Sequence, residues 1–318
     1  MIQQLVAGID IGGTNTVFGL VDFSGNIVFK ETVPTEHFPN PKDLVEEVGE
    51  HIKRSFLRFD GKYQLAGVGI GAPNGNYFKG TIEFAPNLKW KGVIPLAQLF
   101  SELLNCKTIL TNDANAAAIG EMTFGGAKGM QNFIFITLGT GLGSGIVVNG
   151  KMVYGHDGFA GEIGHVIMFA DGRQCGCGRK GCLETYCSAT GIKRTYSDLL
   201  MSHHRHRRMD RMVDNAKFIY DKAMQGDKDA IEAFNCTGDI LGLALANSVA
   251  YTSPEAIFLF GGLAQAGDFI FKPTIESFEK NLLTIYKYKI KILPSQLTEN
   301  NAAILGASSL LWNEIAVK

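Results

Sequence analysis

Leu5-Val6-Ala7-Gly8-Ile9-Asp10-Ile11-Gly12-Gly13-Thr14-Asn15 is an apolar run that stops on an acid, two glycines, a threonine and an asparagine. The run Val17–Val21 follows, then the turn residues Asp22-Phe23-Ser24-Gly25-Asn26, then Ile27–Val33. Short apolar runs bounded by Gly, Asn and Asp read as strands, so this stretch predicts three adjacent strands joined by tight turns. The same order returns later. Phe133–Leu138 runs into Gly139-Thr140-Gly141-Leu142-Gly143, then come Gly145–Val148, the pair Asn149-Gly150, and Met152–Tyr154. Asn-Gly between apolar runs is a strong hairpin signal. Two copies of one strand, glycine loop, strand, turn, strand unit predict two related α/β domains facing one another, rather than a chance recurrence of hairpins.

The segments around these units fit alternating strands and helices. Asn40-Pro41 reads as an N-cap and first helical residue, and Leu44, Val48, Ile52 and Phe56 give the helix one buried face. Leu65–Ile70 is a buried strand that ends in the loop Gly71-Ala72-Pro73-Asn74-Gly75. Beyond residue 190 the chain turns helical: Asn215–Ala223, Lys228–Cys236 and Ile240–Tyr251 carry helical spacing. Ile257–Phe260 is a last buried strand ending in Gly261-Gly262, and Asn300–Trp312 is an alanine-rich helix able to pack back on the first domain. The His- and Arg-rich stretch 202–211 reads as a solvated loop or helix end, with no metal or nucleic-acid role.

Composition removes several function classes. With 318 residues, 46% hydrophobic and 19% charged, the chain is long enough for about two domains and is not intrinsically disordered. No apolar stretch reaches the roughly 18 residues of a membrane span. Thirty basic against 31 acidic residues leave no basic footprint for nucleic acid. Residues Met1–Gly13 carry neither a basic segment nor a long apolar one, so no secretory signal is expected and the chain is placed in the cytoplasm. There, clustered cysteines point to metal more than to disulfides. The 38 glycines sit mostly in clusters beside apolar runs, which reads as backbone-lined binding loops.

Four constellations carry chemistry. First, Asp10, Gly12, Gly13, Thr14 and Asn15 form a turn where backbone N–H groups converge on an anion, and Asp10 is placed to hold Mg²⁺ through its waters. Gly139, Thr140 and Gly141 repeat that cradle, and the two together read as a clamp on a polyphosphate. Gly261 and Gly262 would lie under a nucleobase. Neither loop is a P-loop, since no GxxxxGK[ST] follows. Second, Asn112-Asp113 opens a helix after the strand Thr108–Leu110. Such residues are often no more than caps. At a strand's carboxyl end, however, Asp113 is placed to accept a hydroxyl proton as that oxygen attacks a γ-phosphate, with Asn112 fixing another hydroxyl. Third, His165, Cys175, Cys177 and Cys182 lie within eighteen residues of one another, separated by glycines, and suit a closed, structural Cys₃His zinc site rather than a disulfide or free thiols. Fourth, that metal would hold Glu162, His165 and Glu184 on one rigid loop, and carboxylates with an imidazole N–H recognise the vicinal diols of a sugar. Cys106, Cys187 and Cys236 read as core residues.

On these residues the chain resembles the ROK family of repressors and sugar kinases, in the superfamily of sugar kinases, heat-shock chaperones and actin. The resemblance covers Gly8–Asn15, Pro86-Asn87-Leu88, Asn112–Gly120, Leu138–Gly145, Gly161–His165, Cys175–Glu184 and Leu259–Gly262. It implies an α/β fold of two related actin-like (ribonuclease H-like) domains with an interdomain cleft. Residues 1–117 with a returning helix at 298–318 would form the smaller domain, and 118–297 the larger, with the zinc site and an oligomer interface. It implies an ATP-dependent hexose kinase with Asp113 as base, and Asn87, Asn112, Glu162, His165 and Glu184 on the sugar. Glucose is the expected substrate, with N-acylmannosamine, N-acetylglucosamine or fructose as alternatives. ATP, Mg²⁺ and structural Zn²⁺ are the implied cofactors, and a homodimer or homotetramer without nucleic acid or membrane the implied assembly. A repressor of the same family would need a helix-turn-helix domain, for which the first strand, so near Met1, leaves no room. Asn74 stands where many relatives carry glycine.

Overall fold

Strand β1 (Gln3–Ile11) is buried on both faces from Leu5 to Ile9, which is why its sequence reads as an unbroken apolar run and not as an alternation. This computed structural model describes residues 2–203 and 215–316. From residue 204 on, the stretch 202–211 lies outside the described residues. The chain divides into two compact units: Met1–Met130 with Met152–Gly161 and Ser295–Lys318, and Gln131–Lys151 with Glu162–Pro294.

In the first unit β1 is followed by β2 (Asn15–Val21), β3 (Ile27–Pro34), α1 (Pro41–Leu57) and β4 (Tyr63–Gly71). Then come the short strands β5 (Gly75–Asn76), β6 (Thr81–Glu83) and β7 (Val93–Ile94), α2 (Leu96–Leu104), β8 (Thr108–Thr111) and α3 (Asp113–Phe124). The main sheet has the order β3-β2-β1-β4-β8, antiparallel from β3 to β1 and parallel from β1 to β8. Strands β5, β6 and β7 make a separate small sheet, which together with α2 was not anticipated from the sequence. Helix α1 starts as expected: Asn40 Oδ1 accepts the Lys42 N–H at 3.1 Å and Pro41 takes the first helical position. Such a cap contributes about 1 kcal/mol. Leu44, Val45, Val48 and Ile52 face the core with Ile9, Phe18, Leu20 and Ile70.

The second unit repeats the plan. Its elements are β9 (Phe133–Leu138), β10 (Leu142–Val148), β11 (Lys151–Met152), α4 (Ala189–His203), α5 (Ala216–Met224), α6 (Lys228–Thr252), β12 (Ala256–Phe260), α7 (Asp268–Asn281) and β13 (Lys291–Pro294). The sheet order β11-β10-β9-β12-β13 matches the first sheet, with an antiparallel β9/β10 pair and parallel β9/β12 and β12/β13 pairs. Two sheets of one topology give the actin-like α/β fold its doubled character. Asn149 and Gly150 both have positive φ, 52° and 70°, as a two-residue type I′ hairpin requires.

Two readings change. The helical segments Lys228–Cys236 and Ile240–Tyr251 are one helix, α6, which runs straight through Gly238. That glycine is a contact and not a break: a Cβ there would stand 2.6 Å from Pro273 Cγ, and one at Gly242 2.4 Å from the Thr274 carbonyl, so α7 lies close along α6. Several other glycines likewise serve packing rather than ligand loops. The last helix, α8 (Glu299–Ala316), lies on the sheet of the first unit, where a Cβ at Gly69 would stand 1.8 Å from the Ala307 carbonyl and one at Gly8 2.2 Å from that of Ile304. Val6, Ile109, Ile119, Leu310, Leu311 and Trp312 complete that contact. Among the described residues no helix is long and apolar enough to cross a membrane.

Candidate active site

In the first unit the parallel strands β1, β4 and β8 end side by side. Asp10 is in register with Gly71, and Gly71 with Thr111. Ligands of α/β sheets collect at such carboxyl ends. Gly71 stands between the two acids: a Cβ there would lie 3.4 Å from Asp10 Oδ1 and 3.6 Å from Asp113 Cα. Burial, and then the charge of Asp113, push the Asp10 carboxyl up to about 7. Burial likewise lifts the Asp113 carboxyl above the ordinary range, opposed by the Ala114 N–H, which donates to Oδ1 at 2.8 Å. Asp113 is nonetheless exposed to solvent, which works against the burial effect, so the direction of the shift is kept and its size is small in water. A carboxylate raised in this way is the stronger base.

Asn112 and Asp113 occupy the start of α3. Asn112 Oδ1 caps the helix by accepting the Asn115 N–H at 2.6 Å, so its amide NH₂ is what it can offer a ligand. Gly12 N–H closes the first glycine turn on the Asn15 carbonyl at 2.9 Å, and Gly13, Thr14 and Asn15 are exposed. Asn87, also exposed, sits against that turn: a Cβ on Gly13 would stand 2.5 Å from its carbonyl oxygen. Asp10, Gly71, Asn112 and Asp113 thus share one end of the sheet, and the Gly12–Asn15 turn meets Asn87.

Two contributors escaped the sequence reading. Tyr154 stacks on Tyr77 with ring centroids 4.0 Å apart, and burial holds its hydroxyl above its ordinary pKa, with Thr111, just before Asn112, acting the other way. Asn76, fully buried, donates to the Asp157 carbonyl at 2.7 Å. Together they pin residues 154–157 beside β8. The only signal in sequence was an asparagine and a tyrosine inside otherwise ordinary loops.

In the second unit the strand ends again collect the predicted residues. Phe260 pairs with Thr137, which brings Gly261-Gly262 beside the loop Gly139-Thr140-Gly141. That loop is held from its carbonyl side: Gly139 O accepts the Ala189 N–H at 2.8 Å and Thr140 O accepts Thr190 Oγ1 at 2.9 Å. Thr140 itself is exposed, and space above Gly139 and Gly262 is open. Glu184 reaches this loop as well, accepting the Leu142 N–H on Oε2 at 3.4 Å.

The donor atoms of His165, Cys175, Cys177 and Cys182 all lie within 4.8 Å of one another. Cys177 Sγ and Cys182 Sγ are 3.6 Å apart, and Cys175 Sγ and His165 Nδ1 3.7 Å. A tetrahedron with zinc–sulfur bonds of about 2.3 Å has edges of about 3.8 Å, so the donor set fits zinc with no open position. His165 turns Nδ1 to the cluster, which leaves Nε2 for a ligand. Glu184 Oε1 borders the same cluster, 3.1 Å from Cys175 Sγ and 3.9 Å from His165 Nδ1. Glu162 immediately precedes the short turn Ile163–His165, whose first N–H is held by Ser144 Oγ at 3.1 Å. Glu162, His165, Glu184 and the cysteines are therefore one assembly, and it adjoins the Gly139–Gly141 loop. Of the three remaining cysteines Cys187 is buried, while Cys106 and Cys236 are only partly so.

The ROK family model matches residues 6–314. The glucokinase of Thermotoga maritima is 32% identical over 99% of both sequences. A putative xylose repressor of Caldicellulosiruptor sp. is 27% identical over 98% of this chain and 79% of its own length. The crystal structure of a ROK family glucokinase from Streptomyces griseus in complex with glucose and AMPPNP superposes with a TM-score of 0.77 at 32% identity, covering 96% of this chain and 98% of that one.

Proposed function

The chain belongs to the ROK family, and from that premise we propose that it is an ATP-dependent kinase that phosphorylates the 6-hydroxyl of glucose. That it is a sugar kinase using ATP follows from its glucokinase relatives, including the one solved with glucose and AMPPNP. The choice of glucose rests on the full Glu162, His165 and Glu184 set beside the metal-type cluster. The observation that supports this mechanism is the approach of Asp10 Oδ1 and Asp113 Cα to Gly71, close enough for the Asp113 charge to act on the Asp10 carboxyl.

In this reading Asp113 accepts the proton of the 6-hydroxyl as that oxygen attacks the terminal phosphorus. Its raised pKa makes it basic enough to do so, and the N-cap of Asn112 fixes where it stands. Asn87, Asn112, Glu162, His165 Nε2 and Glu184 hold the other hydroxyls, so that the reacting oxygen is aligned before it is deprotonated. The N–H groups of Gly13, Thr14, Thr140 and Gly141, with the hydroxyls of Thr14 and Thr140, donate to phosphate oxygens and stabilise the charge that develops on them, while the Gly12 and Gly139 N–H groups close their own turns on the Asn15 and Gly141 carbonyls. Gly262 leaves room for the nucleobase, while Gly261 lets the chain turn tightly against the Leu138 backbone. Magnesium, held by Asp10 through water, would neutralise charge on the transferring phosphate. Zinc on His165, Cys175, Cys177 and Cys182 would supply rigidity alone, since its four positions are filled by protein. We place the protein in the cytoplasm as a homodimer or homotetramer, and we propose as its working domains the two compact units, which keep α3 whole where a boundary between 117 and 118 would divide it.

The test is a panel of sugars with Mg-ATP, read as kcat/KM. Glucose should exceed N-acetylmannosamine, N-acetylglucosamine and fructose by at least about tenfold, the scale on which one lost polar contact separates substrates. A higher value for any of the three would move the assignment to that sugar. Operator binding without turnover would instead support a sugar-responsive repressor.

A further inference from the structure

Arg173 lies two residues before the first cysteine of the cluster, outside every motif above. Its guanidinium Nη1 donates to the carbonyls of Thr185 at 3.0 Å and Gly191 at 3.1 Å, and to Thr195 Oγ1 at 3.0 Å. Nη2 donates to Asp198 Oδ2 at 2.8 Å, and the guanidinium carbon stands 4.7 Å from the centre of the Tyr186 ring. The backbone joins in: Arg173 N–H donates to the Tyr186 hydroxyl oxygen at 2.9 Å, and the Arg173 carbonyl accepts the Gly181 N–H at 2.8 Å. One residue therefore touches three structures at once. They are the cysteine knuckle at Gly181, the turn Leu183–Thr185 that carries Glu184, and helix α4.

Asp198 is 66% exposed, so its ion pair is screened and contributes little. The two carbonyls and the ring matter more. They are fixed acceptors of a planar, multidentate donor, which lysine does not reproduce. Thr185 is the residue after Glu184, and its carbonyl is one of the two that Arg173 grips. Thr185 Oγ1 on the Cys182 carbonyl and Ser188 Oγ on the Glu184 carbonyl are local, neutral holds. The Leu183 N–H on the Val166 carbonyl at 2.9 Å and the Leu142 N–H on Glu184 Oε2 at 3.4 Å are longer-range neutral donors, so among the described residues Arg173 is the one cationic, multidentate hold on this turn. We infer that Arg173 is a positioning residue that couples the metal knuckle to Glu184, so that its loss loosens zinc and weakens sugar recognition together. The sugar half of this inference rests on the role proposed above for Glu184, whereas the zinc half does not.

The experiment compares the zinc-loaded wild type with Arg173→Lys, Arg173→Ala and Asp198→Ala. Zinc transfer to a chromogenic chelator and glucose binding by calorimetry are measured on each, with KM and kcat for glucose and ATP. Arg173→Lys and Arg173→Ala should release zinc about tenfold faster or more, the scale found for groups that support metal ligands. Both should raise the Kd and KM for glucose by a similar factor, with kcat at saturation and KM for ATP nearly unchanged. Asp198→Ala should behave as wild type. If Arg173→Lys matches wild type in zinc release and glucose Kd, the inference is wrong. Faster zinc release with unchanged glucose affinity would also overturn the coupling. If Arg173→Ala does not fold, Arg173→Lys decides alone. If the wild type binds no hexose, the functional reading fails, and zinc release still judges the brace.

Discussion

Replacing Asp113 by Asn would remove the proposed base and very little else. The amide oxygen can still accept the Ala114 N–H that Oδ1 accepts at 2.8 Å, and the residue keeps its place in the first turn of α3. The variant loses a negative charge at a helix N-terminus, worth about 0.3–1 kcal/mol, and gains relief from the repulsion that Asp10 feels. Its melting temperature should therefore stay within about 4 °C of wild type. Turnover is another matter. A positioned general base contributes about 10²–10⁴-fold, or about 3–5 kcal/mol of activation free energy. The assay is ADP release with glucose at saturating Mg-ATP, beside glucose binding by calorimetry. The expected result is a kcat lowered by that factor with the glucose Kd changed only a few-fold. The pH profile adds a sign. Because burial raises the Asp113 carboxyl, the wild-type rate should fall on acidification through a pH above the ordinary carboxylate range, and the variant should lack that limb. A variant with near-normal turnover and an unaltered acid limb would refute the base assignment.

Asp10 predicts a pH-dependent stability. Its folded pKa, raised to about 7 from an ordinary 3.8, means the native state holds the proton more tightly, so its stabilising contribution is full below about pH 4 and is lost as pH rises through 7. Melting of the nucleotide- and magnesium-free protein between pH 5 and pH 8 should show that loss, and Asp10→Asn should remove it; identical slopes would count against it. Cys177→Ser should lower zinc content by elemental analysis, along with melting temperature and glucose affinity, and active wild type found without zinc would dismiss the structural metal. Asn74→Gly keeps a backbone φ of 51° comfortable but deletes the amide that donates to the carbonyls of Glu83 at 3.0 Å and Phe84 at 3.4 Å. With such bonds worth about 0.5–1.5 kcal/mol, looser support of the loop leading to Asn87 should raise the glucose KM about 2–10-fold at nearly constant kcat. Gly69→Ala would place a methyl 1.8 Å from the Ala307 carbonyl, and this overpacking should cost about 1–3 kcal/mol in denaturant unfolding.

The doubled unit was legible because both first strands, β1 and β9, are central and buried on both faces, so each reads as a continuous apolar run before its glycines. The Asn149-Gly150 hairpin and the Asn40 cap were legible because their chemistry is local. Helix α7 and the join within α6 were not, because each depends on what the other helix presents. Gly238 looks like a breaker until Pro273 is seen against it. The same blindness made packing glycines such as Gly8 and Gly69 resemble loop formers. At the site, clustered residues were readable from spacing, as with His165 and the cysteines. Residues that act across the fold, such as Asn76, Tyr154 and Arg173, have no local signature at all.

Phosphorus NMR of the purified protein with glucose and Mg-ATP tests the proposed transfer to the 6-hydroxyl in one tube. Glucose 6-phosphate and ADP should appear in equal amounts, and 6-deoxyglucose should give no phosphorylated product. Phosphate on another carbon, or ADP and free phosphate without a sugar phosphate, would overturn the proposal.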